Sequence, residues 1–192
     1  GVNAWRLSGP RFGVARYAQY LISYWRKQLE VDAILALYLH SPLTEKIPSA
    51  STPIEEIVLT PGLTSALWEN LILNRHLSNV DVLFSPGYTT PLLYKGKSVV
   101  AIHSVNEIEP GRHSAAYKLT YSMKYRLSAH AANRVIANSQ STKDRIVEYY
   151  NVPEEKAVNI VGALDDDILS RFFKGYEAYE IANKFVALLD SD

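Results

Sequence analysis

Short apolar runs alternate with segments of helical periodicity along most of the chain, and this alternation limits the fold more than any other feature. The runs are too short and too rich in β-branched residues to be good helices, so we interpret them as buried strands. They occupy residues 1–7 (the end of a strand), 31–39, 56–59, 80–84, 98–102, 134–137 and 157–161. Apolar residues three and four positions apart predict helices over residues 14–29, 63–79, 115–132 and 139–150. This alternation indicates βαβ units, and therefore an α/β fold with a mainly parallel sheet.

The composition is that of a globular domain. The 192 residues suffice for one well-packed domain, with 47% hydrophobic and 21% charged residues. The absence of cysteine excludes disulfides, a thiolate nucleophile and a cysteine-ligated metal. No apolar run approaches the roughly 20 residues of a membrane span, and no signal peptide is visible, so we expect a cytoplasmic protein. A formal net charge of zero argues against nucleic acid as a partner.

The charges are nevertheless unevenly distributed. Residues 110–143 contain no Asp or Glu, but they contain the basic side chains Arg112, Lys118, Lys124, Arg126, Arg134 and Lys143. Three tyrosines lie in the same stretch at the i, i+4 spacing of one helical face: Tyr117, Tyr121 and Tyr125. Two interpretations stay open. The stretch meets an anionic membrane surface or a phosphate-bearing acceptor, or its tyrosines face the core and its bases are solvated.

Residues 80–106 place polar side chains at the carboxyl ends of two predicted strands. The first strand opens into Ser85, Tyr88 and Thr89, and the second opens into His103 and Asn106. In an open parallel sheet, ligands bind in the crevice at the carboxyl ends of the strands. We therefore expect a binding site at this edge.

His103 and the loop after it carry the titratable groups of this edge. A lone histidine at the end of an apolar run is often a hydrogen-bonded structural group, but the position of His103 at a strand's carboxyl end favours a site. The following loop contains Glu107, Glu109, Arg112 and His113. Such side chains suit acid–base work or hydroxyl binding, although solvated surface charges have the same composition.

A glycine-rich turn, residues 9–13, lies between the first predicted strand and the first helix. Backbone N–H groups and the helix dipole at such a turn attract anions, and Arg11 or Arg16 could hold a phosphate through two hydrogen bonds. The turn is not GxGxxG, because position 16 is Arg, and no Gly-Lys-Ser/Thr of a P-loop follows. A phosphate-binding loop and a tight turn are both compatible with Gly9 and Gly13.

Residues 165–192 differ from the rest of the chain. Asp165, Asp166 and Asp167 precede a helix predicted over residues 175–189, and no strand follows it. An Asp-x-Asp pattern offers oxygen ligands for Mg²⁺ or Mn²⁺, but adjacent acids more often begin a helix or lie in a loop. We therefore expect no metal and no cofactor. The predicted division is a domain of residues 1–164 and an acidic turn with a carboxy-terminal helix, residues 165–192, which is either a linker or a helix that packs on the domain.

Five segments together resemble one family, the retaining glycosyltransferases of family four. GVNAWRLSGPRFGVARYAQYL resembles their opening, in which a strand ends in a Gly-rich loop and a helix carries Gly-x-x-Arg-Tyr. Leu67-Trp68-Glu69-Asn70 and VDVLFSPGYTTPL resemble the Trp-Glu helix and the following strand of the mannosyltransferase-like members, group 1. VVAIHSVN is similar to their strand ending in His-Asp, and RVIANSQSTKDRIVEYYNVPEEKAVNIV is similar to their Ser-x-Ser helix. The match runs in order from residue 1 to about residue 161.

The resemblance implies the GT-B architecture, in which two Rossmann-like domains face each other across a cleft. This chain would be the amino-terminal half, a Rossmann-like three-layer sandwich that holds the acceptor. The implied reaction moves a sugar from a nucleotide-sugar donor, such as a GDP- or UDP-sugar, to the hydroxyl of a carbohydrate or lipid-linked acceptor, with retention of configuration. Such reactions serve polysaccharide or glycolipid biosynthesis.

The resemblance also implies a role for each candidate residue. His103 would contact the donor sugar near the reacting carbon. The donor diphosphate would face Gly9, Arg11, Gly13 and Arg16. The acceptor pocket would be shaped by Ser85, Tyr88, Thr89, Asn106, Glu107 and Arg112. Ser139 would lie at the rim of the cleft.

Two departures from the family pattern limit what this chain is expected to do alone. Ser104 follows His103 where Asp is usual, and no Glu-x₇-Glu segment or Lys/Arg pair for the leaving diphosphate follows residue 161. Those charges carry much of the transition-state stabilisation. We therefore expect the chain to be inactive without a carboxy-terminal donor domain. The alternative is a non-catalytic sugar- or lipid-binding module that pairs with a separate catalytic subunit, or a peripheral protein on an anionic membrane surface.

Overall fold

The computed structural model describes residues 1–9, 13–28, 33–47, 52–61, 63–109, 111 and 113–160, and within them seven strands form one sheet. The strands are β1 (Val2–Asn3), β2 (Leu35–Leu39), β3 (Ile54–Val58), β4 (Val82–Ser85), β5 (Lys97–Ile102), β6 (Arg134–Ala137) and β7 (Ala157–Asn159). Every neighbouring pair is parallel, and the strand order is 3-2-1-4-5-6-7. These observations confirm the predicted Rossmann-like α/β fold.

The longer helices pack beside this sheet and follow the predicted boundaries closely. They are α1 (Val14–Gln28), α3 (Ala115–Ala131) and α4 (Gln140–Tyr150), and a short α-helical turn, α2 (Ser65–Leu67), lies between α1 and α3. α1 buries Ala18, Leu21 and Ile22 in the main core cluster, at the three- and four-residue spacing that predicted it. α4 begins at the cap residue Ser139 and ends at Asn151, whose φ of 55° stops the helix.

The helix predicted over residues 63–79 is present over residues 65–76, but it is not a regular α-helix. After α2 the backbone widens into a π-helical turn, Trp68–Ile72, and then tightens into a 3₁₀ helix, Leu73–His76. The fully buried Trp68 anchors this segment, because its indole N–H donates to the Leu59 carbonyl at 2.9 Å. Leucine periodicity cannot report such a change of pitch, because the apolar face stays the same.

The strand predicted over residues 1–7 is also too long. β1 pairs with β2 and β4 over Val2–Asn3, and the chain then enters a 3₁₀ turn, Trp5–Ser8. The Leu7 amide donates to the Ala4 carbonyl at 2.8 Å, which closes this turn directly behind the strand. The turn brings Trp5 and Arg6 to the carboxyl edge of the sheet.

The strand order places the expected crevice beside β1. Connections run to one side from β1 to β2 and β3, and to the other side from β4 onwards, so the order reverses between β1 and β4. In doubly wound sheets, ligands bind outside the carboxyl ends of the strands at this reversal. The ends of β1, β4 and β5 therefore define the site. The predicted boundary at residue 164 and the predicted carboxy-terminal helix lie outside the described residues.

Candidate functional site

His103 follows the carboxyl end of β5, and three groups hold its ring. Its Nε2 lies 2.8 Å from the carbonyl oxygen of Pro86. The ring of Tyr17, from α1, packs against it edge-on at 4.7 Å between centroids, and the ring of Tyr88 packs against it at 5.4 Å. Burial between these rings lowers the pKa of His103 below its usual 6.5, although the bond to the Pro86 carbonyl opposes the shift. His103 is therefore neutral at pH 7.

The Pro86 contact also fixes which nitrogen of His103 carries the hydrogen. A carbonyl oxygen only accepts hydrogen bonds, so Nε2 must be the donor. In a neutral imidazole the other nitrogen, Nδ1, is then an acceptor. His103 thus offers a lone pair, suited to a hydroxyl group rather than to a phosphate oxygen.

Tyr88 adopts a backbone conformation that bulky residues rarely take. Its φ is 69°, in the left-handed region, within the loop directly after β4. The side chain is fixed by a 3.2 Å contact between its hydroxyl and the Ser104 hydroxyl, and by stacking on Tyr125 at 4.8 Å. Such strain persists only where the surroundings enforce it, and it concentrates at binding sites. Ser104, which stands where the family pattern has Asp, therefore helps to hold Tyr88.

A buried carboxylate lies on the other side of the same loop. Glu69, in the π-helical turn, is 4% exposed. Its Oε1 accepts two hydrogen bonds, one from Asn3 Nδ2 at 2.9 Å and one from Thr89 Oγ1 at 2.8 Å. Burial raises the pKa of Glu69, while these two bonds oppose the rise. Glu69 thereby joins the end of β1 to the loop after β4.

Arg6 extends across this loop from the end of β1. A Cβ atom added to Gly87 would lie 3.5 Å from Arg6 Cγ and 3.7 Å from Arg6 Nε, so the arginine stem covers the glycine. Arg6 itself is exposed. It places a positive charge at the point where the strand order reverses.

The glycine turn lies at the same end of the molecule as His103. Gly13 has a φ of 45°, and its carbonyl accepts the Tyr17 amide at 3.0 Å in the first turn of α1. Because the Tyr17 ring packs on His103, one helical turn connects the glycine loop to the imidazole. A Cβ atom added at Gly9 or Gly13 would meet no described atom within 4 Å. Among the described residues, no atom therefore fills the space beside these two glycines.

The two arginines predicted near this turn differ in what the structure shows. Arg16 is exposed on the first turn of α1, and among the described residues no hydrogen bond or ion pair engages its side chain. Arg11 lies outside the described residues. Arg16 is thus available to an anion at this edge.

The residues predicted for the acceptor pocket separate into half-buried and fully buried groups. Tyr88 and Thr89 are half-buried and line the crevice, and Asn106 is half-buried at the start of a 3₁₀ turn, Asn106–Ile108. Ser85 is fully buried and donates to Thr90 Oγ1 at 3.0 Å. Arg112 lies outside the described residues.

Glu107 and Ser139 are engaged with neighbouring elements. Glu107 is 5% exposed and accepts a hydrogen bond from the Tyr150 hydroxyl at the end of α4. Ser139 caps α4, because its Oγ accepts the Thr142 amide at 3.1 Å. Both side chains therefore have structural partners, which fix the loop after β5 and the start of α4.

The site contains residues to which sequence reasoning gave no role: Asn3, Arg6, Tyr17 and Glu69. Arg6 had a visible signal, because it follows a strand at the edge where ligands bind. For Glu69 the only signal in the sequence was its position in the Trp-Glu segment that resembles the family. Asn3 and Glu69 are 66 positions apart, so their hydrogen bond could not be read from local pattern.

The described residues contain no group of three potential metal ligands among His, Asp and Glu, and no helix within them is long and apolar enough to cross a membrane. The acids at positions 165–167 lie outside the described residues.

A parallel sheet with this order, a glycine turn before α1 and a polar crevice beside β1 define a Rossmann-like ligand-binding domain. The chain belongs to Glycosyltransferase Family 4, whose profile matches residues 13–167. Its fold is that of the amino-terminal, GT-B-type domain of this family.

Individual relatives agree with this assignment. The O-antigen chain mannosyltransferase RfbU of Salmonella typhimurium is 25% identical over 167 residues, which cover 81% of this chain and 46% of RfbU. The crystal structure of Anabaena HepE with UDP and glucose aligns with a TM-score of 0.54 and 16% identity, over 87% of this chain and 45% of HepE. The crystal structure of HepE with UDP-glucose aligns with a TM-score of 0.53 and 15% identity, over 97% of this chain and 49% of HepE. The chain thus spans about half the length of the proteins it matches.

Proposed function

We propose that this chain is the acceptor-side domain of a retaining glycosyltransferase that uses a nucleotide-sugar donor. One observation carries the proposal. The imidazole of His103, whose Nδ1 is the nitrogen not bonded to Pro86, lies at the carboxyl edge of the sheet and packs on Tyr17, one helical turn from Gly13. A sugar hydroxyl and a diphosphate need these two environments side by side.

In the proposed mechanism each part of the crevice binds one part of the substrates. His103 Nδ1 accepts a hydrogen bond from a hydroxyl of the donor sugar. Backbone N–H groups of the glycine loop, with Arg11 and Arg16, face the diphosphate, whose negative charge grows as it leaves. The acceptor hydroxyl attacks from the face that the diphosphate leaves, and its proton passes to a leaving phosphate oxygen. Configuration at the sugar carbon is then retained, and no metal or cofactor takes part.

The proposed acceptor pocket is shaped by the loops after β4 and β5. Tyr88, Thr89 and Asn106 offer polar groups at its surface, and Arg112 belongs to it by sequence position. Ser85 and Glu107 are buried beneath these loops and hold them through hydrogen bonds. Ser139 fixes the start of α4 at the rim. Buried polar groups with fixed partners keep such a pocket preorganised.

The proposed enzyme requires a second half. RfbU and HepE are about twice as long as the segment that matches this chain. HepE is known in complexes with UDP, glucose and UDP-glucose, which supports a sugar nucleotide as donor here. We propose that a carboxy-terminal domain supplies most of the donor contacts and that the chain alone does not turn over.

A transfer assay tests this function. The protein extended to the length of its relatives is incubated with radiolabelled UDP-glucose or GDP-mannose and with glycolipids extracted from its source cells. We expect label in the glycolipid, with the anomeric configuration of the donor, and none when the 192-residue chain is assayed alone. No transfer from either sugar nucleotide, or inversion of the anomeric carbon, would contradict the proposal.

We further propose peripheral attachment to an anionic membrane surface, on the cytoplasmic side, because α3 presents the required pattern. Three large apolar side chains four positions apart are exposed on it: Leu119 (66%), Met123 (54%) and Leu127 (47%). Lys118, Lys124 and Arg126 flank them, in a stretch without acids. An apolar stripe between basic side chains is typical of helices that lie in the lipid headgroup region. Attachment would hold the cleft beside a lipid-linked acceptor.

A further inference from the structure

One buried titratable group at the crevice has no part in the proposed mechanism. Glu69 lies where the strand order reverses, and it is one of the few charged side chains that the described residues bury. Arg6 and Lys124 attract it from a distance, but it is not among the ion pairs of the described residues. A buried carboxylate without a cation is costly for the fold.

The two hydrogen bonds that Glu69 makes do not require a negative charge. Asn3 Nδ2 and Thr89 Oγ1 both donate to the same oxygen, Oε1. A glutamine oxygen could accept the same two bonds. The structural task of joining β1 to the loop after β4 therefore does not explain why this position carries a carboxylate.

Glu69 lines a small cavity, and its second oxygen, Oε2, takes no part in the bonds to Asn3 and Thr89. The cavity measures about 20 Å³ and is lined by Asn3, Trp5, Arg6, Ser65, Glu69, Gly87 and Thr89. A space of that size holds one water-sized group. Its lining is mostly polar, and it opens at the carboxyl edge of the sheet, where the acceptor pocket is proposed.

We propose that Glu69 binds one hydroxyl group of a sugar ring in this cavity. A hydroxyl fits the volume, and it donates a charge-assisted hydrogen bond to Oε2, stronger than a bond to a neutral amide. A phosphate is too large and carries the wrong charge for the carboxylate. This inference rests on the proposed function and adds a specificity residue to it: the acceptor sugar must carry a free hydroxyl at the position that reaches Glu69.

Binding of simple sugars tests the subsite without any transfer reaction. The isotopically labelled chain is titrated with the methyl α-glycosides of mannose, glucose, galactose and rhamnose, while amide shifts of Asn3 and Thr89 are followed by NMR. We expect at least one glycoside to shift both amides. Its affinity should fall about tenfold in Glu69→Gln, the loss of one charge-assisted bond. Glu55→Gln, the same change at an exposed position on β3, serves as control and should bind like the wild type.

Deoxy analogues of the bound glycoside identify the hydroxyl. One monodeoxy sugar should bind the wild type about tenfold more weakly than its parent, and Glu69→Gln should no longer distinguish the two, because both changes remove the same contact. Equal affinity of the wild type and Glu69→Gln would overturn the proposal, as would a wild type that binds none of the four glycosides. Sugar transfer by the extended protein is measured separately, so a failed subsite and a failed enzyme function are distinguishable.

Discussion

At the residue scale, the crevice contains two titratable side chains whose pKa values are shifted in opposite directions by burial. Burial lowers the pKa of His103 and raises the pKa of Glu69, so in both cases the neutral form is favoured. For His103 the neutral form is the useful one, because only it has an acceptor nitrogen. For Glu69 the charged form is the one proposed to bind a hydroxyl. Burying that charge lowers the stability of the fold.

This cost predicts how Glu69→Gln changes stability with pH. A carboxyl group whose pKa is raised on folding contributes stability that is present below its usual value of 4.5 and is lost as pH rises through the raised value. Glutamine keeps both hydrogen bonds and does not titrate. We therefore expect Glu69→Gln to be more stable than the wild type at pH 7, with the difference shrinking as pH falls towards 4.5.

Urea unfolding of both proteins across this pH range measures the difference directly. The exposed change Glu55→Gln shows how much of the effect comes from net charge alone. A Glu69→Gln protein that is less stable than the wild type at pH 7 would show that the carboxylate contributes a stabilising contact to the fold.

At the scale of elements, the sequence was most informative where the periodicity was long and regular. The longer helices and the inner strands lie close to their predicted positions. Each of them buries apolar side chains in the core between sheet and helices, which produces a regular pattern in the sequence. The segment with Trp68 was predicted as a helix and is helical, but it contains π and 3₁₀ turns, and the hydrogen bond from Trp68 to Leu59 holds it in place. The first strand was predicted too long because its continuation, Trp5–Ser8, turns back on itself.

The candidate site was predicted in part, for the same reason. His103, Tyr88, Thr89 and the glycine turn follow strand ends, and strand ends can be recognised in a sequence. The hydrogen bonds from Ser85 to Thr90 and from Tyr150 to Glu107 cannot, because they depend on which side of a loop faces the core. The place of Glu69 in the site could be recognised only from the folded structure, because its hydrogen-bond partners come from β1 and from the loop after β4.

The cap of α4 gives a prediction at this scale. Ser139 Oγ accepts the Thr142 amide, so Ser139→Ala leaves a helix-terminal N–H without its partner. We expect a loss of about 1 kcal/mol in the free energy of unfolding. Ser141→Ala, an exposed serine two positions further along the helix, is the matched control and should change stability little. Equal effects of the two changes in urea unfolding would show that the cap does not stabilise α4.

At the scale of the whole molecule, two faces of α3 serve different surfaces. Ser128 and Ala129 are buried against the domain, while Leu119, Met123 and Leu127 are exposed between basic side chains. The tyrosines predicted for one face stack on one another, with Tyr117 to Tyr121 at 4.2 Å, and continue through Tyr125 to Tyr88 in the crevice. A membrane-bound α3 would therefore lie next to the acceptor loops.

Charge reversal on α3 tests this membrane surface. The triple change Lys118→Glu, Lys124→Glu and Arg126→Glu should weaken binding to phosphatidylglycerol vesicles roughly 10²-fold, at about 1 kcal/mol per basic residue near the surface. The triple change Lys46→Glu, Arg75→Glu and Lys95→Glu alters net charge equally at exposed positions outside α3 and serves as control. Co-sedimentation measures both. An equal loss of vesicle binding in the two triple variants would contradict a specific role of α3. So would wild-type protein that binds neutral phosphatidylcholine vesicles as well as phosphatidylglycerol vesicles.

The most direct measurement for the account is the effect of His103 on sugar transfer by the protein extended to the length of its relatives. His103→Ala removes the acceptor nitrogen at the strand ends, and loss of one buried hydrogen bond to substrate predicts a fall in kcat/KM of about 10- to 100-fold. His76→Ala, an exposed histidine on the segment after the π-helical turn, should leave kcat/KM unchanged. A His103→Ala enzyme that transfers sugar as fast as the wild type would show that the reaction does not take place at this crevice.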